Sequence, residues 1–475
     1  MKRGEQMTSS RKEQGQQKTL NRGSSQEEVV NTQGTVRVQS SSPAQVKSYT
    51  CGTEYTLLEE MLKLDNMMAA LKRVEQNKGA AGVDKVDVKS LRPYLKEHWP
   101  RIRGELLEGT YKPQPVRRVE IPKSDGGIRL LGIPTLVDRL IQQGLSQVLT
   151  PIFDPSFSNS SYGFRPNRST HQAVKQAKQY IEDGYRYVVD LDLEKFFDRV
   201  NHDILMARVA RKIKDKRILG LIRAYLNAGI MAKGVCVRSE QGVPQGGPLS
   251  PALSNIILDD LDKELERRGH RFVRYADDCN IYVKTERAGQ RVMEGVKRFV
   301  EDELKLKVNE QKSAVDRPWK RKFLGFSFTA ERKTRTRIAP KARARFEDKV
   351  RELTNRSRSM SMAKRIDQLN VYLRGWMGYF CLADTRSVIE SLDQWTRRRL
   401  RMCYLKQWKK PKAVYHNLVK LGLRPDFARN LSGSGKGYWR LANTPQMNIA
   451  LGLAFWANQG LLSLVQLYDK HRSVS

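Results

Sequence analysis

Two pairs of aspartates stand where strand-forming sequence ends. Asp190 and Asp192 close the apolar run Tyr185-Arg-Tyr-Val-Val-Asp-Leu-Asp192. Asp277 and Asp278 lie between Phe272, Val273 and Tyr275 on one side and Ile281, Tyr282 and Val283 on the other. An Asp-Asp pair in a hairpin is ordinarily a turn, but these flanks would hold the acids on rigid strands, and the other acid-ending strand could meet them across a sheet. Three carboxylates converging there repel one another unless cations neutralise them, and hard oxygen ligands favour Mg²⁺. Two such ions about 4 Å apart activate an attacking hydroxyl and stabilise a leaving pyrophosphate, which is the chemistry of nucleotidyl transfer. Period two along a strand puts Asp190 and Asp192 on one face, so spacing alone leaves open which of them ligates.

The charge of the chain agrees with a phosphate-rich substrate. Its 475 residues carry 87 Lys and Arg against 51 Asp and Glu, a formal net charge of +36, which points to nucleic acid before any other polyanion. The 39% of hydrophobic residues is enough for a sizeable core, and the length allows about three domains. No run approaches the roughly 18 apolar residues that span a bilayer; Gly452 to Leu467 is interrupted by Asn458 and Gln459. The N-terminus has no apolar core of a signal peptide. Five scattered cysteines with no Cys-x-x-Cys pair, and only six histidines, argue for a reducing cytosol and against zinc. The expectation is a cytoplasmic protein with no membrane partner. Residues 317–412 hold 27 Lys and Arg against 8 Asp and Glu, more than half of the excess. These cations interleave with Trp319, Phe323, Tyr372, Trp376, Tyr379, Phe380, Trp395 and Trp408, a mixture suited to gripping phosphates and packing on sugars or bases.

The elements that would position the acids are also legible. Residues 1–54 are polar and nearly free of aromatics, which predicts a disordered tail. Helical spacing runs from Leu57 to Val74, followed by a Gly-bearing loop at Asn77 to Asp84. A hairpin is predicted from Val116 to Pro122 and Ile128 to Ile133 about the turn Ser124-Asp-Gly-Gly127, and a second from Arg271 to Lys284. Helical patterns cover Thr135 to Leu149, His171 to Asp183 and His202 to Asn227, and beyond about Arg335 the chain becomes helical and very basic.

Taken together, these segments resemble the reverse transcriptases encoded by group II introns. Tyr275-Ala-Asp-Asp278 looks like the family's metal-binding box, and Val189-Asp-Leu-Asp-Leu-Glu-Lys-Phe-Phe-Asp198 like its first palm motif. Ile121-Pro-Lys-Ser-Asp-Gly-Gly-Ile-Arg129, Gly132-Ile-Pro-Thr135 and Asp138-Arg139 are similar to the fingers motif. Ser161-Tyr-Gly-Phe-Arg-Pro-Asn-Arg-Ser169, Gly242-Val-Pro-Gln-Gly-Gly-Pro-Leu-Ser-Pro251 and Phe323-Leu-Gly-Phe326 fill the remaining boxes in order. Gly375-Trp-Met-Gly-Tyr-Phe380 and the stretch from Arg397 to Lys409 resemble the maturase, or X, region. The likeness covers about residues 55–475 and is greatest to the compact bacterial group IIC type, which lacks an HNH endonuclease.

The resemblance implies site residues position by position. The family's first metal-binding aspartate lies five residues before an aromatic that contacts the incoming sugar, as Asp192 does before Phe197. Asp192, Asp277 and Asp278 would then be the catalytic acids holding two Mg²⁺, with Mn²⁺ as a substitute, and Asp190 a supporting acid. Phe197 would crowd a ribose 2′-hydroxyl, and Lys123 and Arg129 would hold the dNTP triphosphate. Gln245 would lie near the nascent base pair, and Lys312 corresponds to a general acid for pyrophosphate. Asn77, Gly79 and Gly82 fall in the template-clamping loop, and Arg397, Arg398, Arg399, Arg401, Lys406 and Lys409 in the RNA-binding region.

The implied architecture is an α+β right hand. Residues 55–100 would be an N-terminal helical extension, 101–330 the fingers and palm, 331–411 the helical thumb or X domain, and 412–475 a C-terminal DNA-binding region. The implied function is an RNA-directed DNA polymerase that binds its intron RNA, assists splicing as a maturase, and copies the RNA into DNA during retrohoming. Its partners would be the intron RNA, an RNA template with a DNA primer, target DNA and dNTPs, in a bacterial ribonucleoprotein near the nucleoid. Two other readings keep the fold: a domesticated enzyme in DNA repair or phage defence, and a splicing cofactor with little polymerase role.

Overall fold

Alternating apolar positions in Val116–Pro122 (β1) and Ile128–Ile133 (β2) produce the expected antiparallel hairpin, in register from Arg117 opposite Ile133 to Pro122 opposite Ile128. The computed structural model describes residues 56–122, 127–232, 235–237 and 241–473. The expected tail and Lys123 lie outside them. The remaining strands are β3 (Tyr187–Leu191), β4 (Ile230–Ala232), β5 (Val235–Val237), β6 (Arg271–Tyr275), β7 (Asp278–Val283), β8 (Ala314–Asp316), β9 (Phe326–Phe328) and β10 (Thr336–Ile338). They form a first sheet of order β2-β1-β4-β5, a central sheet of order β6-β7-β3-β8, and the small pair β10-β9.

Neighbouring strands of the central sheet are antiparallel throughout, and both its faces are covered. Val189, Leu191, Cys279, Ile281 and Val283 face one apolar cluster, shared with the helices Ser250–Arg267 and Glu286–Asp302. Val188, Val273 and Tyr282 face a second cluster, shared with Thr170–Glu182. Period two thus explains why these strands read as nearly continuous apolar runs. Val189 and Ile281 are fully buried, and each such side chain contributes about 1.5–3 kcal/mol through burial.

The second cluster continues into the C-terminal helices. Phe346, Leu369, Leu373, Leu392 and Leu400 pack in it, as do Leu418, Met447, Trp456 and Tyr468, so residues on both sides of Lys412 bury in one core. A turn at Phe323-Leu-Gly-Phe326 couples this region to the sheet. Gly325 takes φ +80, the Tyr379 hydroxyl donates to the Leu324 carbonyl at 2.8 Å, and the Phe326 ring lies 5.6 Å from Tyr379 and 5.2 Å from Phe380.

Two long helical patterns are broken. The stretch Leu57 to Val74 forms Leu57–Met61 and Leu64–Asn77, because the Asn66 amide donates to the freed Met61 carbonyl at 2.7 Å. His202 to Asn227 forms His202–Ala210 and Lys216–Asn227. Asp215 restarts the second helix by accepting from the Arg217 backbone at 2.9 Å, and its other oxygen accepts from Leu58 N–H at 3.0 Å.

Candidate active site

The hairpin of β6 and β7 closes with Tyr275 paired to Asp278, which leaves Ala276 and Asp277 as a two-residue turn. Ala276 takes φ +56, a conformation costing a residue with a Cβ about 1–2 kcal/mol. Such strain persists where the surroundings over-determine it. Segment 160–163 is one clamp: Arg274 N–H donates to the Ser160 carbonyl and Tyr162 N–H to the Arg274 carbonyl, both at 2.9 Å. Gly163 lies so close to the turn that a Cβ would meet the Ala276 nitrogen at 2.2 Å. Gly163→Ala therefore destabilises the fold by about 1–3 kcal/mol. By displacing the acids it also lowers any catalysis there on the order of 10²-fold. Urea denaturation and single-nucleotide incorporation measure the two effects.

The second clamp is a buried arginine. The Arg274 guanidinium meets five acceptors with its five N–H groups. It grips Asp262 at 2.7 and 2.6 Å, the Ala276 carbonyl at 2.9 Å, Asn255 at 3.0 Å and the Ser161 hydroxyl at 2.8 Å. Arg274 and Asp262 are both 0% exposed. The Asn255 amide in turn donates to the Gly163 carbonyl at 2.9 Å, so the two clamps are one network.

Across the sheet, β3 and β7 pair from Tyr187–Val283 to Leu191–Cys279, and Asp192 and Asp278 are the residues adjoining that last pair. Asp192 is held by its backbone: its N–H donates to the Ser313 hydroxyl at 3.0 Å, and its carbonyl accepts from Asn309 N–H at 2.8 Å. Asp190 is engaged elsewhere, in an ion pair with Arg321 at 2.6 Å. Asp278 keeps contact with solvent, yet it stands in a dense surround. Loss of water there and the charges of Asp277, Asp190 and Asp192 push its carboxyl up to about 7.

The donor chemistry suits Mg²⁺. Among the described residues no three His, Cys, Asp or Glu side chains stand close enough to enclose an ion, so the expected three-acid set meets as an electrostatic cluster rather than a closed cage. Mg²⁺ asks for no such cage: it takes one or two carboxylates and completes its shell with water and substrate phosphates. Oxygen-only donors under mutual repulsion fit that role.

The other expected residues have these surroundings. Phe197 is half-buried with its ring 5.0 Å from Phe196, and its carbonyl accepts from Val243 N–H at 2.6 Å. Gln245 is half-buried, and its carbonyl accepts from Gly132 N–H of β2 at 2.8 Å. Lys312 is exposed in the Asn309–Ser313 turn that grips Asp192. Arg129 is on β2 opposite Ile121, and its side chain lies outside the described part. The loop after Asn77 packs on the first sheet and the helix after it: Arg117 donates to the Ala81 carbonyl at 2.8 Å and Arg139 to that of Ala80. Gly82 has no room for a Cβ against the Thr135 backbone, and a Cβ at Gly79 would displace the end of the Arg139 side chain.

The arginines expected to bind RNA also make contacts within the protein. Arg401 is buried and donates to the Ala442 carbonyl at 2.9 Å, Arg397 pairs with buried Asp393, and Arg399 donates to the Thr354 hydroxyl at 3.0 Å. Arg398 lies 3.8 Å over the Trp439 ring and donates to the Trp439 carbonyl. These bonds pack the helix Arg386–Trp408 against its neighbours, and Lys406 and Lys409 are exposed at its end.

Sequence reading missed the Arg274 network and Arg321. A signal for the first exists: a charged residue inside the strand Arg271–Tyr275, and an aspartate on the same helical face as Leu258, Leu261 and Leu265. Nothing in the sequence separates Arg321 from its neighbouring cations.

Comparison with known proteins gives matches over the same segments. Residues 121–328 match the family described as reverse transcriptase (RNA-dependent DNA polymerase), and residues 343–422 the group II intron, maturase-specific domain. Protein YkfC of Escherichia coli (strain K12) is 36% identical over 279 residues, covering 50% of this chain and 73% of YkfC. Group II intron-encoded protein LtrA of Lactococcus lactis subsp. cremoris is 31% identical over 342 residues, covering 58% of this chain and 57% of LtrA. Among solved structures, a partial Cas6-RT-Cas1–Cas2 complex is 28% identical, with a TM-score of 0.33, covering 53% of this chain and 43% of that one.

Proposed function

The chain belongs to the group II intron reverse transcriptases, RNA-directed DNA polymerases with a maturase-specific domain, and from that premise we propose that it binds its own intron RNA, assists its splicing and copies it into DNA during retrohoming. The observation that supports the polymerase part is the pairing of β3 with β7, whose last pair, Leu191–Cys279, adjoins Asp192 and Asp278 next to the clamped turn of Asp277.

In this reading Asp192, Asp277 and Asp278 would hold two Mg²⁺, and the chemistry such ions would supply when bound is activation of a primer hydroxyl and neutralisation of a departing pyrophosphate. The residues of the chain do the rest. Lys123, together with Arg129 of β2, binds the triphosphate by charge-assisted hydrogen bonds. The Phe197 ring excludes a 2′-hydroxyl, and Gln245, tied through its backbone to β2, lines the nascent base pair. Lys312, beside Asp192, delivers a proton to the leaving pyrophosphate oxygen. Asn77, Gly79 and Gly82 shape a loop that holds the template strand.

No helix among the described residues is long and apolar enough to cross a membrane. The structured RNA is taken by the basic region of residues 317–412, with target DNA further along the chain. Lys406→Gln with Lys409→Gln lowers RNA affinity and flattens its salt dependence by about 0.7–0.9 in log–log slope for each lost phosphate contact. Filter binding from 50 to 200 mM salt reads this, and an unchanged slope removes those lysines from the RNA surface. The proposal as a whole is tested with the precursor RNA that surrounds the gene. The chain should accelerate excision of that intron and not of an unrelated one. Equal rates with and without the chain contradict the splicing role.

A further inference from the structure

Asp190 and Asp192 leave the same strand two residues apart, yet they have different surroundings. Asp190 sits mid-sheet, paired through its backbone with Asn280 of β7 and Ala314 of β8. Its Oδ2 accepts from Arg321 Nε at 2.8 Å and lies 2.6 Å from Nη2. The same Nη2 donates to the Lys312 carbonyl at 2.5 Å. One planar guanidinium thus spans the strand that leads into Asp192 and the turn whose Asn309 and Ser313 hold Asp192 by its backbone. The pair is largely shielded, with side-chain exposures of 28% for Arg321 and 23% for Asp190, so its attraction is only partly screened.

The geometry has an electrostatic consequence. Asp190 acts on both Asp192 and Asp278 through space. A carboxylate there without a partner would be one more anionic ligand competing for any cation at the site. We propose that Arg321 is a positioning residue: it withdraws Asp190 from the cation-binding carboxylates, and it ties the Asn309–Ser313 turn to β3 so that Asp192 faces Asp278. The proposal rests on the reading of Asp192, Asp277 and Asp278 as the metal-binding acids. Arg321 touches neither substrate nor reacting atoms.

The roles separate in a direct binding measurement. Arg321→Met frees Asp190 to join the cluster. The metal-free protein then binds Mn²⁺, followed by electron paramagnetic resonance, about threefold or more tightly, while kcat for nucleotide incorporation falls about tenfold at little-changed KM for dNTP. A residue serving structure alone would weaken both. Asp190→Asn placed on Arg321→Met restores Mn²⁺ affinity, because the surplus charge is gone, but only part of kcat, because the tie to the Lys312 carbonyl is still missing. Arg321→Lys keeps a cation beside Asp190 but cannot bridge both partners, so its Mn²⁺ affinity stays near that of the parent and its kcat falls less; it carries the test if the methionine variant does not fold. Weaker Mn²⁺ binding by the Arg321 variants, or no restoration by Asp190→Asn, overturns the inference. Unchanged Mn²⁺ binding by Asp278→Asn overturns the metal reading on which it stands.

Discussion

Asp278→Asn abolishes DNA synthesis while leaving the protein folded to the same temperature or a higher one. The loss follows from charge. A cation that neutralises the departing pyrophosphate supplies several kcal/mol, so removing a carboxylate that holds it costs on the order of 10³-fold in rate. The retained stability follows from the surroundings of the side chain. Asp278 is crowded by Asp277, Asp190 and Asp192, and without cations its ionised form is under repulsion from all three. Asparagine keeps the size and removes the repulsion. Single-nucleotide incorporation and thermal unfolding of the metal-free protein measure the two halves. A drop in both together would mean that Asp278 serves the fold, and the assignment of its carboxylate to catalysis would fail.

Arg274→Met has the largest expected effect on stability. Asp262 is fully buried, and Arg274 is its ion-pair partner at 2.6 Å. Removing one member of a buried pair strands the other charge and costs about 3–5 kcal/mol. The Ala276 carbonyl, Asn255 and Ser161 lose their donors at the same time. Activity should fall further than stability alone explains, because the turn bearing Asp277 is then free to relax its strained residue Ala276. Arg274→Lys does not rescue, since an ammonium has three donors where five acceptors wait. Denaturant midpoints for both variants, with incorporation assayed well below the midpoint, test this. A methionine variant as stable as the parent would contradict the account of the network.

The features legible in the sequence are those set by local period and turn chemistry. The hairpin of β1 and β2 has the expected bounds because alternation and a Gly-bearing turn specify it within 18 residues or so of chain. The acids of β3 and of the β6–β7 turn could be singled out because apolar strands on either side make charge conspicuous. Long-range partners were not legible. The apolar spacing of His202 to Asn227 runs through the break, and only the reach of Asp215 to both Leu58 and its own helix shows why the chain stops and restarts. The inward packing of Arg397 and Arg401 was not legible because sequence shows charge without burial. Yet Asp393, Arg397 and Arg401 recur at four-residue spacing on a helix, and that was a hint of a shared inward face. The network at Arg274 joins residues more than a hundred positions apart, from Ser161 to Ala276, and so belongs to the folded chain only.

Extension of a DNA primer on an RNA template by the full chain, with dNTPs and Mg²⁺, tests the central claim most directly, run beside Asp192→Asn. The expected result is template-directed extension by the parent, lost on chelation of the metal and lost on the order of 10³-fold in the variant, with both proteins folded. Extension by Asp192→Asn at the parental rate, or no extension by the folded parent, would contradict it.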